Sequence, residues 1–260
     1  MTIDDSAWEL PPHAVEVFRP RRARYAVIVT VLNEGERLAH QLDRMRPYTE
    51  VCDIVIADAP STDGSTAAAR LERSDVHAVV RLTGRGGFSS SLRAGLAYVV
   101  RSGVAGAILM NGNDKDHPSA LPAFVDHLDE GGDYVQGTRY GPGGHAVNTP
   151  LSREILIRWV HAPLFSLIAG RQFTDTTNGF RAFSRRYLVD PRVRPWRRGF
   201  DHYELGYYLA WAACRFGFRV EEIPVTRAYP YAGSAPTKIR GVGRHWRLFQ
   251  PLVMLALRRY

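Results

Sequence analysis

The stretch Ala107–Pro118, AILMNGNDKDHP, decides how the chain folds. Its first four residues are apolar, and seven of the eight that follow are polar, charged or glycine, which is typical of a buried parallel strand that ends at a site. In open α/β sheets, ligands bind at the carboxyl ends of strands. Asp114 and Asp116 lie one residue apart here, just after Asn111 and Asn113. These oxygen ligands suit Mg²⁺ or Mn²⁺ bridging phosphates, and the alternative is a polar loop that caps the next helix.

Composition and charge limit the classes of protein to consider. The chain has 260 residues and a net charge of +8, and nearly all its cations are arginines, since only Lys115 and Lys238 are lysines. This excess indicates an anionic partner, although a solvated basic surface would also explain much of it. No apolar run approaches the roughly 20 residues that span a bilayer. We therefore expect a cytoplasmic protein, either soluble or peripheral to the inner face of a membrane.

Strand and helix patterns alternate through the first half of the chain. Helical segments of 10–15 residues separate short apolar runs, which predicts βαβ units and a mostly parallel central sheet flanked by helices. Right-handed crossovers place the carboxyl ends of these strands on one rim. The predicted strands are Tyr25–Leu32, Asp53–Asp58, His77–Leu82, Ala105–Met110 and Asp133–Gly137.

The chain reads as one domain with an extension at each end. Residues 1–24 are predicted to be a basic arm, and residues 25–240 a single α/β domain whose halves, 25–140 and 141–240, bind a nucleotide and an acceptor. Residues 151–169 have helical spacing with a kink expected at Pro163, and a long helix is predicted over residues 200–216. Residues 241–260 form an amphipathic tail, which either lies on a membrane or docks on the core.

Several chemistries are excluded by missing motifs. Gly84-Arg85-Gly86 lies between a strand and a helix, but Ser89 stands where the dinucleotide fingerprint needs its third glycine. A phosphate-loop NTPase would need a Gly-Lys-Ser run, and a serine hydrolase a Gly-x-Ser-x-Gly elbow. The arginines are scattered over both halves, which argues against a nucleic-acid-binding module. What remains is an acidic strand-end site for a metal and a diphosphate.

Six stretches, taken in order, resemble one family. The sequence is similar to family-2 glycosyltransferases of the GT-A fold, and most of all to the dolichyl-phosphate mannosyltransferases and their polyprenyl-phosphate relatives. The sequence departs from the pattern of this family at two places. The family usually has two adjacent aspartates after the second strand, where this chain has Asp58 and Ala59, and Asn111-Gly112-Asn113 stands where the family usually has Asp-x-Asp. The stretches are VIVTVLNEGERL, IVIADAPSTDGST, GRGGFSSSLRAGL, QGTRY, TDTTNGFRAFS and VEEIPV, and the resemblance extends from about Ala26 to Arg240.

The resemblance assigns roles to particular residues. It implies a metal site at Asp114 and Asp116 that holds Mg²⁺ or Mn²⁺. The catalytic residues that it implies are Asp116, Arg139, Arg181 and Glu204. The residues that it implies bind the nucleotide sugar are Asn33, Glu34, Asp58, Asp63, Gly86, Asn111, Asn113, Lys238 and Arg240.

The resemblance implies inverting transfer of a hexose from a UDP- or GDP-sugar, with metal assistance. Two kinds of acceptor fit this activity. A polyprenyl phosphate is favoured by the resemblance to the polyprenyl-phosphate subgroup, by the net positive charge and by the amphipathic tail. This acceptor would bring the protein into contact with a membrane. We expect no nucleic-acid partner. The alternative is a soluble hydroxyl in natural-product or envelope-glycan synthesis, which needs a general base, for which Asp175, Asp201 and Glu204 are candidates. A third interpretation, from another class, is a non-catalytic nucleotide-sugar-binding protein.

Overall fold

The strand β2 (Tyr25–Val31) lies inside the central sheet, and all seven of its residues are buried. Successive side chains of a strand face opposite sides of the sheet. Val27 and Val29 therefore pack in one hydrophobic cluster, while Ala26 and Ile28 pack in another on the opposite face. The computed structural model describes residues 4–229 and 242–257, with side chains from Phe249 onward in the second stretch.

Within residues 4–229 and 242–257, ten strands form two sheets. Besides β2 they are β1 (His13–Val17), β3 (Cys52–Asp58), β4 (Ala78–Leu82), β5 (Gly106–Asn111), β6 (Tyr134–Thr138), β7 (His145–Val147), β8 (Arg181–Ser184), β9 (Val220–Pro224) and β10 (Thr226–Ala228). The main sheet has eight strands in the order β1-β4-β3-β2-β5-β8-β6-β9, and β7 and β10 pair in a separate parallel sheet.

Helices cover both faces of the main sheet. They are α1 (Glu36–Met45), α2 (Ala68–Arg73), α3 (Phe88–Arg101), α4 (Leu121–Asp129), α5 (Leu151–Leu156), α6 (Ala162–Ala169), α7 (Arg185–Leu188), α8 (Glu204–Arg215) and α9 (Val242–Ala256). Apolar residues of α1, α2 and α4 pack on one face, and those of α3, α6, α7, α8 and α9 pack on the other. The predicted α/β architecture with a mostly parallel sheet is confirmed.

Parallel pairing brings the strand ends together at one rim. Thr30 pairs with Asn111 across β2 and β5, and Val31 pairs with Asp58 across β2 and β3. The antiparallel strand β8 begins at this same rim, where Arg181 lies opposite Leu109. Side chains from residues far apart in sequence therefore converge at the end of β5.

The predicted N-terminal arm is partly a strand of the sheet. β1 pairs antiparallel with β4 and forms one edge. The basic cluster after it is used inside the protein, because Arg19 donates to the fully buried Asp53 at 2.7 Å and Arg22 contacts Asp75 at 3.2 Å. These ion pairs leave the cluster poorly placed to bind an external anion.

Two elements differ from the sequence-based prediction in their boundaries. Residues 181–184 form the antiparallel strand β8, although the sequence around them is polar and interrupted by Gly179. The helix predicted to start at Phe200 starts at Glu204, so Asp201 and His202 lie in the turn that precedes α8. This turn is fixed by its contact with α3, where Ser89 donates its backbone N–H to the His202 carbonyl at 2.8 Å.

The predicted helix over residues 151–169 is present but not uniform. A π-helical segment, Ile157–His161, joins α5 to α6, and Pro163 follows it in the first turn of α6. Proline lacks the N–H that would continue the α-helical hydrogen bonding, so a locally wider turn accommodates it. The irregularity therefore falls one turn before the expected kink.

The described part of the C-terminal tail docks on the protein. Leu252 and Leu255 of α9 are buried in the same cluster as α8, and Phe249 packs against that cluster. Of the two expectations for the tail, docking on the core therefore holds for these residues. Across the described ranges, no helix combines the length and apolar character needed to cross a bilayer.

Candidate active site

A cavity of about 600 Å³ opens where β2 and β5 end and β8 begins. Thr30 and Val31 of β2, Asn111 of β5 and Arg181 of β8 contribute to its floor. The remaining lining comes from the loops after β2, β3, β4 and β5, from the segment before β8, from the turn and first residues of α8, and from α1, α3, α5 and β10 with the residue that follows it. The cavity therefore lies at the carboxyl ends of the parallel strands, as the sequence predicts.

Glycines allow the backbone to come close at this cavity. A Cβ atom on Gly179 would lie 2.5 Å from the Asn111 amide nitrogen, and one on Gly206 would lie 2.8 Å from Arg181 Nη1. A Cβ on Gly87 would lie 2.3 Å from the carbonyl oxygen of Asp201. Gly86, predicted to bind the nucleotide, instead packs on Leu82, and its neighbour Gly87 lines the cavity.

The predicted nucleotide-binding loops after β2 and β3 are tied to each other. Asn33, whose φ is 51°, accepts the Thr62 N–H through Oδ1 at 2.8 Å, and Asp63 accepts the Gly35 N–H at 2.8 Å. These side chains shape the rim of the cavity without belonging to its lining, whereas Glu34 does line it. Glu34 also forms an ion pair with Arg37 at 2.8 Å.

Asp58 lies at the end of β3 with its carboxylate fully buried. It accepts the Ser61 N–H at 2.9 Å, the Thr66 hydroxyl at 2.8 Å and the Arg81 guanidinium at 3.0 Å. These contacts hold together the turn after β3. The structure therefore gives Asp58 a supporting position beneath the rim and does not bring it to the cavity surface.

Asp114 and Asp116 lie off the cavity lining and contact different elements. Asp114 adopts a φ of 57° and contacts α1, where His40 and Arg44 bind its carboxylate, the latter at 2.8 Å. Asp116 is fully buried and forms an ion pair with Arg227 of β10. Because the two carboxylates face different elements, the structure does not bring them together as a pair of ligands.

Lys115, between the two aspartates, does line the cavity. Its ammonium lies 4.7 Å from the centre of the Tyr229 ring. Burial lowers the pKa of Lys115 to about 8, and the neighbouring Arg227 and Arg153 add to this effect while Glu34 opposes it. The sequence prediction missed Lys115, Arg153 and Arg227, although Lys115 is one of only two lysines and lies inside the stretch that decided the fold.

Arg139 and Arg181 occupy different environments. Arg139 forms two hydrogen bonds to Asp175, at 2.6 and 2.9 Å, and both residues are buried. Burial alone would raise the pKa of Asp175, but the adjacent guanidinium overcomes it and holds that pKa below its usual range. Arg139 is therefore part of a buried ion pair and does not line the cavity, although the resemblance implies a catalytic role for it.

Arg181, in contrast, lines the cavity. Its guanidinium donates to three backbone carbonyls, those of Asn178 at 2.9 Å, Thr176 at 2.9 Å and Gly206. These contacts fix the guanidinium through neutral partners, so its positive charge remains available to a ligand in the cavity.

The candidate bases are engaged elsewhere. Asp175 holds Arg139, and Asp201 accepts the Ser90 hydroxyl at 3.0 Å. Glu204 accepts the N–H of His202 at 2.7 Å, at the start of α8. None of these three residues contributes to the cavity lining.

Comparison with known proteins identifies the family. The model of the glycosyl transferase family 2 domain matches residues 26–190, well over half of the chain. The chain belongs to glycosyltransferase family 2. The polyprenol monophosphomannose synthase of Mycolicibacterium smegmatis is 30% identical to this glycosyltransferase over 207 residues, which cover 78% of this chain and 77% of that protein. The undecaprenyl-phosphate mannosyltransferase of Micrococcus luteus is 28% identical over 211 residues, covering 78% of this chain and 83% of the relative.

Solved structures agree with the fold of this glycosyltransferase. The glucosyl-3-phosphoglycerate synthase of Mycobacterium tuberculosis, solved with Mn²⁺, UDP and glucosyl-3-phosphoglycerate, matches with a TM-score of 0.64 at 19% identity. The match covers 90% of this chain and 79% of that chain. The predicted GT-A fold and the predicted glycosyltransferase activity are therefore confirmed, and a non-catalytic binding protein is not supported.

The charges around the cavity are unusual for a site expected to hold a divalent ion. Among the described residues, the lining contains Glu34 as a carboxylate, together with five cationic side chains: Arg37, Lys115, Arg153, Arg181 and Arg227. The described residues contain no group of three or more His, Cys, Asp or Glu side chains able to hold a metal ion. Residues 230–241, which contain the predicted nucleotide-binding residues Lys238 and Arg240, lie outside the described residues, and their sequence has none of these four residue types.

The described residues therefore do not supply the paired carboxylates expected to hold Mg²⁺ or Mn²⁺. Magnesium in proteins is usually bound through one or two carboxylates as well as substrate phosphates. Here the end of β5 offers the amides of Asn111 and Asn113, with the ammonium of Lys115 close by in sequence. Two acceptor oxygens of this loop are buried without a hydrogen-bond partner among the described residues, the Asn113 amide oxygen and Asp116 Oδ1. The first is able to accept a hydroxyl of a bound sugar, and the second belongs to a carboxylate whose other oxygen is paired with Arg227.

Proposed function

We propose that this glycosyltransferase moves a hexose from a nucleotide-diphosphate sugar, either UDP- or GDP-linked, to a polyprenyl phosphate at a membrane surface. In the proposed reaction, an acceptor phosphate oxygen attacks C1 of the sugar, and the bond from C1 to the donor's β-phosphate oxygen breaks. The nucleoside diphosphate leaves with that electron pair, and the configuration at C1 is inverted. Neither step requires a proton to be removed from the acceptor.

The observation that carries this proposal is the charge of the cavity. A donor diphosphate and an acceptor phosphate are both anions. Among the described residues the cavity presents five cationic side chains and one carboxylate, with Arg37 paired to that carboxylate, Glu34, and Arg227 paired to Asp116 outside the lining. Preorganised cations stabilise the negative charge that develops on a leaving diphosphate. The names of the two relatives, a polyprenol monophosphomannose synthase and an undecaprenyl-phosphate mannosyltransferase, support the same acceptor class.

The positions of the acids also favour a phosphate acceptor over a hydroxyl. A hydroxyl would need a general base within reach of its proton. Asp175, Asp201 and Glu204 lie off the cavity lining, and Glu34 is held by Arg37. A phosphate is already ionised and needs no base, so the arrangement of acids fits it.

The outer surface beside the cavity supports contact with a membrane. Trp159 is 73% exposed and Leu167 is 80% exposed. Together with four other exposed apolar side chains they form what we call the apolar stripe, at nearly regular helical spacing along α5, the π-helical segment and α6. Arg158 and Arg171 lie on the same helical segment and just after it. Apolar side chains beside arginines suit the interface of an anionic bilayer. The stripe consists of Leu151, Ile155, Trp159, Val160, Leu164 and Leu167.

The cavity and the apolar stripe share one helix. Arg153 of α5 lines the cavity, while Leu151 and Ile155 on either side of it are exposed. A polyprenyl phosphate has an apolar chain that stays in the bilayer and a phosphate that leaves its surface. In our proposal, α5 binds at that boundary and directs the phosphate toward the cations.

The test is transfer of radiolabelled sugar from UDP- and GDP-sugars to undecaprenyl phosphate in detergent or vesicles, with a soluble sugar acceptor in parallel. We expect lipid-linked product from one donor class and none with the soluble acceptor. Product with the soluble acceptor alone would contradict the proposal. The variant Glu204→Gln separates the two chemistries further, because loss of a general base costs about 10²- to 10⁴-fold in kcat, whereas we expect less than about tenfold here.

A further inference from the structure

We propose that Lys115, with Arg153 and Arg227, binds the donor diphosphate directly and replaces the divalent cation expected at this site. This inference rests on the proposed function, because it assumes a nucleoside-diphosphate donor in the cavity. It predicts an enzyme whose donor binding needs no metal.

The three cations are brought together by the small sheet. Lys115 lies in the loop after β5, and its carbonyl accepts the Ala228 N–H of β10 at 2.8 Å. Next to it, the His117 N–H donates to the Thr226 carbonyl at 3.0 Å. These backbone hydrogen bonds hold the loop against β10 and determine where the Lys115 side chain begins.

Tyr229, which follows β10, brings a second cation close to Lys115. The Lys115 ammonium lies 4.7 Å from the centre of the Tyr229 ring, and the Arg153 guanidinium lies 5.8 Å from the same centre. Arg227, two residues before Tyr229, also lines the cavity. A loop, a helix and a strand therefore place three cations around one part of the cavity.

Such a cluster of like charges favours an anionic ligand, and Glu34, which also lines the cavity, offsets its charge only in part. The buried Asp116 neutralises Arg227 in part through their ion pair, but it does not line the cavity. Like charges held close together in a partly buried site repel each other, and a bound diphosphate relieves that repulsion. The arrangement is that of an anion site that is already formed.

A divalent ion would meet the opposite situation. It would lie beside the same cations, with the neutral amides of Asn111 and Asn113 at the end of β5. The Asp116 carboxylate of the same loop lies off the cavity lining and is already paired with Arg227 through one of its oxygens. Asp114 is held on α1 by His40 and Arg44, so it is not free to turn toward the ion. The replacement of Asp-x-Asp by Asn-Gly-Asn and the presence of Lys115 in the cavity thus point to the same conclusion.

The experiment measures donor binding by calorimetry with UDP and with GDP. Each nucleotide is titrated into the full chain in excess EDTA, and again with Mn²⁺ or Mg²⁺. For the nucleotide that binds, we expect the Kd to agree within about threefold in the presence and absence of metal. A Kd that is at least about 10-fold weaker in EDTA would overturn the inference.

Lys115→Gln tests the residue itself, with Arg73→Gln as a control that removes one positive charge from an exposed position at the end of α2. A hydrogen bond to a charged group contributes substantially to the free energy of binding. We therefore expect Lys115→Gln to raise the Kd for the nucleoside diphosphate by about 10- to 100-fold, with or without metal. Arg73→Gln should change it by less than about twofold. Equal binding by the Lys115→Gln variant, with a native melting temperature, would also refute the inference.

The outcomes separate this inference from the proposed function. Binding of UDP or GDP only in the presence of metal would refute the metal-free site and leave the proposed donor class intact. No binding of either nucleotide under any condition would count against both proposals. The comparison of wild-type binding with and without metal needs no variant, so it decides the matter even if Lys115→Gln does not fold.

Discussion

The apolar stripe along residues 151–167 should control how tightly the protein binds to membranes. Trp159 and Leu167 carry the largest exposed fractions in it, at 73% and 80%. Moving such a side chain fully out of water contributes about 1.5–3 kcal/mol, so these exposed fractions correspond to about 1–2 kcal/mol each on entering a bilayer. Replacing either residue by serine should therefore weaken vesicle binding by about 10-fold, since 1.4 kcal/mol is a factor of ten.

The double variant makes the prediction sharper. The two residues are eight positions apart, or about 12 Å along a helix, a distance at which effects usually add. Trp159→Ser/Leu167→Ser should then bind about 100-fold more weakly than the wild type. Because both side chains are exposed, the free energy of unfolding should change by no more than about 0.5 kcal/mol per substitution.

The assay is co-sedimentation with vesicles of phosphatidylcholine and phosphatidylglycerol, with vesicles of phosphatidylcholine alone in parallel. Val17→Ser is the matched control, because Val17 is 55% exposed on the edge strand β1 and lies outside the stripe. The arginines near the stripe should make binding to the anionic vesicles weaker at high salt. If the double variant sediments like the wild type, or if Val17→Ser weakens binding equally, the stripe is not the membrane contact.

Three further predictions concern the frame of the cavity. Arg139→Met should lower the free energy of unfolding by about 3–5 kcal/mol in denaturant titrations because it leaves buried Asp175 without its partner, and Arg139→Met/Asp175→Asn should recover part of that loss. The pKa of Asp175 is lowered in the folded state, so the ionised carboxylate stabilises the fold above its unfolded pKa of about 4. This contribution is lost as the pH falls through the lower pKa of the folded state. The difference in the free energy of unfolding between wild type and Asp175→Asn should therefore shrink over that acid range. Gly87→Ala should destabilise the protein by about 1–3 kcal/mol in thermal unfolding, since its Cβ would meet the Asp201 carbonyl oxygen at 2.3 Å, and an unchanged melting temperature would show that the turn before α8 moves freely.

Much of the fold follows from local sequence patterns. The buried runs of β2, β3 and β5 are continuous because helices cover both faces, and this pattern is visible without knowing the partners. Their order with the intervening helices predicts a parallel sheet and a site at the strand ends. β8 escaped prediction because its four residues follow a polar, glycine-containing segment, and it is a strand because it pairs between β5 and β6.

The composition of the site was also visible in the sequence, but the direction of each side chain was not. Asp114 and Asp116 are one residue apart, yet one contacts α1 and the other contacts β10. Arg139 and Arg181 were predicted to play similar roles, and only Arg181 reaches the cavity. In each case the partner that decides the direction comes from a distant part of the chain.

The sequence by itself therefore determined the family, the α/β architecture and the rim at which the site lies. Tertiary structure decided which charges face the cavity, because carboxylates and guanidiniums turn toward whichever opposite charge the fold brings near. Lys115 illustrates this difference: its place beside two acids suggested a metal loop, whereas both acids bind other cations and the lysine lines the cavity.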